Sequence, residues 1–152
     1  MTDKDSKLYN IDRKSSAGYM TNWAARLFAR AMDRRLKPLG LSTGHLPIFF
    51  ALRDGGALSQ KALTEYAAIE QPTMAATLAR MERDGLIHRE PDANDRRSML
   101  ISLTPLALEK LPAVREAIET LNEKALGALS KEERDAFLVS LAQIVAALAD
   151  DD

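Results

Sequence analysis

A chain of 152 residues that is 46% hydrophobic and 28% charged fits one ordinary globular domain, not a disordered or fibrous protein. The absence of cysteine excludes structural disulfides, thiol catalysis and cysteine-based redox sensing. The formal net charge of −1 lacks the basic excess usual in nucleic-acid binding, so such a role would depend on where the charges lie.

No apolar run reaches the roughly 18 residues of a membrane span. The start, Met1, Thr2, Asp3, Lys4 and Asp5, is polar with no apolar stretch behind it, so no signal peptide is expected. These features point to a cytoplasmic protein. Residues 1–10 are expected to fray.

From about Ser16 to Lys37, Met20, Trp23, Ala24, Leu27, Phe28 and Ala31 recur at helical spacing, and Pro38, Leu39 and Gly40 end the run. Trp23 and Phe28 read as core or dimer contacts; the sharper alternative puts them beside a ligand pocket. Ser42 can cap a second helix reaching about Arg53, with His45 in its first turn as a capping or pocket group. Pro47 requires that helix to begin late or to bend. Ile48, Phe49, Ala51 and Leu52 make it densely apolar. Asp54, Gly55 and Gly56 form a turn, and Ala57–Leu58 can add a short strand to a later sheet. Ser59 then caps a helix from Gln60 to about Ala68, with Leu63 and Ala67 inward.

The next helix runs from Gln71 to about Gly85. Met74, Leu78 and Met81 make its apolar stripe, Pro72 suits its first turn, and Gly85 suits a left-handed stop. Gln71, Thr73, Ala76 and Thr77 are read as its exposed side, with Arg80 also off the stripe. Short and hydrogen-bonding side chains there suit close approach to a major groove, though a solvated face of small residues has the same composition. Leu86–Glu90 reads as a strand, Pro91–Arg97 as a loop tipped by Arg96 and Arg97, and Ser98–Leu103 as the returning strand. A hairpin of this kind behind such a helix is the pattern of a winged helix-turn-helix, and arginine at the tip can enter a minor groove.

Thr104 and Pro105 make a good helix start. Leu111, Val114, Ile118, Leu121 and Ala125 follow as a two-heptad seam, with Pro112 expected to kink or interrupt the helix near its start. Ser130 to Glu133 is a capping box. Phe137, Leu138, Leu141, Ile144, Val145 and Leu148 line one side of the last helix. So much apolar helix exceeds what one small head needs. It reads as a dimerisation layer built from both chain ends, or else as a monomeric cap over the core.

The run from Asp92 to Thr104, with Asp95-Arg96-Arg97, a small residue, a β stretch and Leu103-Thr104, resembles the wing signature of the MarR family of transcriptional regulators. Glu70–Thr73 with Leu78, then Arg83–Ile87, is similar to the SlyA-type branch. The likeness covers nearly the whole chain. It implies that Arg97 reaches the minor groove and that Asp95 holds the wing. Many members of that branch carry arginine mid-helix where this chain has Ala76, so base readout here leans on Gln71, Thr73, Thr77 and Arg80. The resemblance further implies a homodimer that represses transcription and releases DNA when a small phenolic or aromatic ligand binds. Trp23, Phe28, His45 and Phe49 are the candidate lining.

The expected fold is mainly α with a small β-hairpin wing. Residues 1–40 would supply the N-terminal helix of the dimer layer, 41–104 the winged helix-turn-helix, and 105–152 the C-terminal dimerisation helices. With two histidines, no His-x-x-His spacing and no phosphate-binding glycine motif, neither a metal, a cofactor nor an enzyme is expected. The expected partner is double-stranded DNA with a near-palindromic operator. A dimeric helical protein-interaction module that binds no DNA is the competing reading.

Overall fold

The computed structural model describes residues 11–151, so the fraying expected of residues 1–10 falls outside it. The chain runs α1 (Ala17–Leu36), α2 (Leu46–Leu52), β1 (Ala57–Ser59), α3 (Gln60–Ala67), α4 (Gln71–Arg83), β2 (Ile87–Asp92), β3 (Asp95–Leu103), α5 (Pro105–Ala125) and α6 (Lys131–Ala149). This is the mainly helical architecture with a small sheet that the sequence predicts.

Most boundaries have a local cause. The Ser16 hydroxyl accepts the Tyr19 N–H at 3.2 Å and starts α1. Gly40, at φ +73°, closes the turn after it. A 3-10 turn, Thr43–His45, leads into α2, so the helix takes the late start, with Pro47 in its first turn. His45 Nδ1 accepts the Ser42 N–H at 2.9 Å. Burial pulls the His45 pKa below its ordinary value, which favours the neutral ring that can accept there.

The same turn is tied to α1 through Asp33, whose Oδ1 accepts the Thr43 N–H at 2.7 Å and also the Thr43 hydroxyl. These bonds, the hydroxyl's first, hold the Asp33 carboxyl below its usual pKa. A depressed carboxylate stabilises the fold above its unfolded pKa, and that stability is lost as pH falls through the folded one. The melting-temperature gap between the native chain and Asp33→Asn is therefore expected to close as pH drops from about 6 to below about 4. A gap that stays constant across this range would remove the role given to Asp33.

The Ser59 hydroxyl accepts the Ala62 N–H at 3.1 Å and caps α3. Ala68, at φ +51°, turns the chain into α4. Gly85, at φ +73°, ends α4. Its N–H bonds Glu82 O at 3.1 Å, and the Leu86 N–H bonds Met81 O at 2.8 Å, the paired pattern of a left-handed helix stop.

The sheet has the order β1-β3-β2, both pairs antiparallel. Ala57 pairs with Ser102, and Ile87 with Leu103. The wing departs from the expected seven-residue loop. Pro91 lies within β2 opposite Met99, and Arg96 and Arg97 lie within β3, leaving Ala93 and Asn94 as the turn. Two Asp side chains make this tight tip. Asp92 Oδ1 accepts the Asn94 N–H at 2.9 Å, and Asp95 Oδ1 accepts the Arg97 N–H at 3.0 Å. The register shift between Pro91 and Asp92 accommodates the proline.

Thr104 joins three elements. Its N–H donates to Leu86 O at 3.0 Å, its hydroxyl donates to Gly85 O at 2.6 Å, and the same oxygen accepts the Ala107 N–H at 3.2 Å, capping α5.

The core gathers Leu36, Ile48, Phe49, Leu52, Leu63, Met74, Leu78, Met81 and Ile101 between the helix-turn-helix and the sheet. It continues upward through Met32, Val114 and Leu121, between α1 and α5. The heptad seam is thus partly spent inside the chain: Val114 and Leu121 are buried without any second subunit. α5 also runs unbroken through Pro112, so of the expected kink or interruption it is the interruption that does not occur. α6 has no buried residue at all, although Ser130 and Glu133 make the reciprocal capping box at 3.0 and 3.1 Å. Arg134 anchors its start, donating to the Leu126 and Leu129 carbonyls and pairing with Glu123 at 2.9 Å. Among the described residues no helix is long and apolar enough to cross a membrane.

Candidate nucleic-acid interface

α3 and α4 meet through the left-handed turn at Ala68, and Met74, Leu78 and Met81 seat α4 on the core. That seating turns the opposite side of α4 outward. Gln71, Thr73, Ala76 and Arg80 are exposed there. Thr77 is not: it is 4% exposed, and its hydroxyl donates to Thr73 O at 2.9 Å. The reason is geometric. Position 77 lies three residues after Met74 and four before Met81, on the buried stripe, and the bond to the carbonyl four residues back satisfies its hydroxyl inside the core. Thr77 therefore leaves the candidate reading surface. Gln60, which the sequence did not single out, comes to that surface instead. Its Nε2 donates to Gln71 Oε1 at 3.2 Å, joining the first residues of α3 and α4. An eleven-residue separation across a turn has no pattern that reveals such a contact in advance.

The wing stands next to this surface. Arg89 of β2 pairs with Glu82 of α4 at 2.9 Å and is itself only 24% exposed, so wing and helix are tied at their bases. Asp95, Arg96 and Arg97 are exposed on β3 beside the tip. Among the described residues Arg80, Arg96 and Arg97 form no ion pair, which leaves their guanidinium groups available to an outside anion. The arrangement places short and amide side chains beside cations that are unpaired among the described residues. That chemistry suits base edges and phosphates. Among the described residues no three His, Asp or Glu side chains cluster as metal ligands would.

The four residues expected to line a ligand pocket do not come together. Arg13 lies 4.0 Å over the Trp23 ring, which Tyr19 meets edge-on. Phe28 packs against the upper core, and His45 serves its cap. Of the four, only Phe49 lines the groove of about 660 Å³ between α2 and α5. Leu46, Phe50, Leu111, Pro112 and Ile118 share it with Phe49, and Arg53 and Arg115 add positive charge. Arg115 is paired with Glu119 at 2.7 Å. Trp23 and Phe28 suggested a pocket through aromatic character alone, whereas the groove arises from a tertiary meeting of distant helices.

Residues 39–98 match the profile of the MarR family. The chain is 29% identical over 119 residues to YwoH of Bacillus subtilis, described as an uncharacterized HTH-type transcriptional regulator, covering 78% of this chain and 86% of that one. It is 39% identical over 88 residues to the transcriptional regulator HosA of Escherichia coli, covering 58% and 65%. Its fold is similar to a MarR transcriptional regulator from Methanosarcina mazei, with TM-score 0.82 at 20% identity over 89% and 97% of the two chains. It is also similar to S. aureus MepR in a DNA complex, with TM-score 0.76 at 24% identity over 88% and 98%. The matches reach the family and do not single out a branch of it.

Proposed function

We propose that this chain, a member of the MarR family, acts as a homodimeric DNA-binding transcriptional regulator, a repressor that a small aromatic or phenolic ligand releases. The observation that carries the reading is the exposed start of α4, with Gln71, Thr73 and Ala76, beside a wing whose Arg96 and Arg97 are unpaired among the described residues. Two such units related by a twofold axis would place their recognition helices in successive major grooves, about 34–36 Å apart, on a near-palindromic operator. Base contacts from α4 would specify the site, and the wing arginines would anchor it.

The dimer reading rests on α6. A helix apolar on several sides must be covered on several sides. Leu138, Val139, Val145 and Leu148 are 58–66% exposed in the single chain, and Tyr19, Met20 and Leu27 leave the first part of α1 similarly bare. A second copy would cover both. On this reading residues 1–40 and 105–152 form the dimer layer and 41–104 the DNA-binding unit, working in the cytoplasm. The groove between α2 and α5 joins these parts, and its mainly apolar walls suit an aromatic ring, with Arg53 at its rim to meet an acid group while Arg115 is held by Glu119. A ligand there acts only through different affinity for the two spacings of the heads.

The net charge of −1 favours the second reading, a helical protein-interaction module without DNA. Binding to the DNA upstream of its own gene, against random duplex across a salt series, separates the two. A footprint of two half-sites one turn apart is expected. No binding to either duplex at low salt would leave the interaction module as the better account.

A further inference from the structure

Gln60 and Gln71 are each the first residue of a helix, and their side chains meet at 3.2 Å. The fold does not require this contact. Ser59 already caps α3, and Pro72 supplies a preset first turn to α4. The pair sits at the outward edge of the helix-turn-helix, with Gln71 exposed.

A carboxamide carries one oxygen with two lone pairs and two N–H donors. The bond from Gln60 Nε2 takes one lone pair of Gln71 Oε1 and restricts the rotation of that amide. One acceptor site and both donors of Gln71 remain. An acceptor and a donor side by side complement the major-groove edge of adenine, which offers the N6 amino donor and the N7 acceptor. The bond also polarises the Gln71 amide and strengthens its remaining donors. A free glutamine can make the same pair only after giving up rotamer freedom.

We propose that Gln60 is a positioning residue for sequence readout, holding Gln71 so that it reads one adenine in each operator half-site. The inference rests on the DNA-binding reading above.

Selection from a random duplex pool tests it, using the whole protein, Gln60→Met, Gln71→Ala and the double variant. Methionine keeps the length and helix preference of glutamine but cannot donate. The native chain should enrich adenine at one symmetric pair of positions. Gln71→Ala should lose that preference by about tenfold or more. Gln60→Met should weaken it by roughly three- to tenfold at the same pair alone. The double variant should fall no further than Gln71→Ala, which a merely structural role for Gln60 would not produce. A Gln60→Met profile equal to the native one, a uniform loss at all positions, or a Gln71-dependent preference for guanine or thymine would each overturn the proposal. In those cases the native chain still enriches a palindrome and the regulator reading stands. A native chain that enriches no sequence brings down both.

Discussion

Glutamate in place of both Leu138 and Val145 of α6 is expected to give a monomer whose operator affinity falls by about a hundredfold or more, since two linked heads bind far more tightly than one. The two side chains stand seven residues apart on one face and are 58% and 66% exposed in the single chain. A twofold interface repeats every substitution, so the double change places four unpaired carboxylates in an apolar seam. None of the buried core belongs to α6, and the head should keep its fold. Light scattering on the eluting protein gives the mass, and circular dichroism checks the helices. A variant that remains dimeric with native affinity would show that α6 is covered by something else.

The second large effect is expected at Arg97. Arg97→Ala should weaken operator binding about tenfold, lower the slope of log affinity against log salt by about 1, and leave the dimer intact. The side chain lies on the wing, away from the exposed apolar faces of α1 and α6. Its backbone is held by Asp95, so the substitution removes a charge without loosening the tip. Binding that keeps its affinity and salt slope would contradict the wing assignment.

Helix order, caps and the hairpin were legible because each depends on residues close in sequence. Ser16, Ser59, Thr104 and Ser130 mark their helices by hydroxyl chemistry alone. Errors arose where one property stood in for another. Thr77 has the short hydrogen-bonding side chain of an exposed reading residue, although its spacing from Met74 and Met81 puts it inward. Pro91 suggested a loop, but next to a two-residue turn at the edge of the sheet a strand tolerates it. The α5 heptads could serve a partner or the chain's own α1, and periodicity cannot distinguish the two. The groove and the Gln60–Gln71 contact depend on how separate elements pack, which no local pattern encodes.

The bonds of Thr104 have a mechanical consequence. One residue fastens the end of α4, the root of the wing and the first turn of α5, so these parts share a single pivot. α5 is 21 residues long and packed on α1, so the two helices would have to tilt together as one lever. A lever of that length spans about 30 Å, and swinging it by about 5° carries its far end through roughly 2–3 Å. On the proposed reading, a ligand wedged against Pro112 or Ile118, part-way along, would move the head without deforming any secondary structure. A small push would then become a change of reach, and the stiffness of the Thr104 joint would set how much of it arrives.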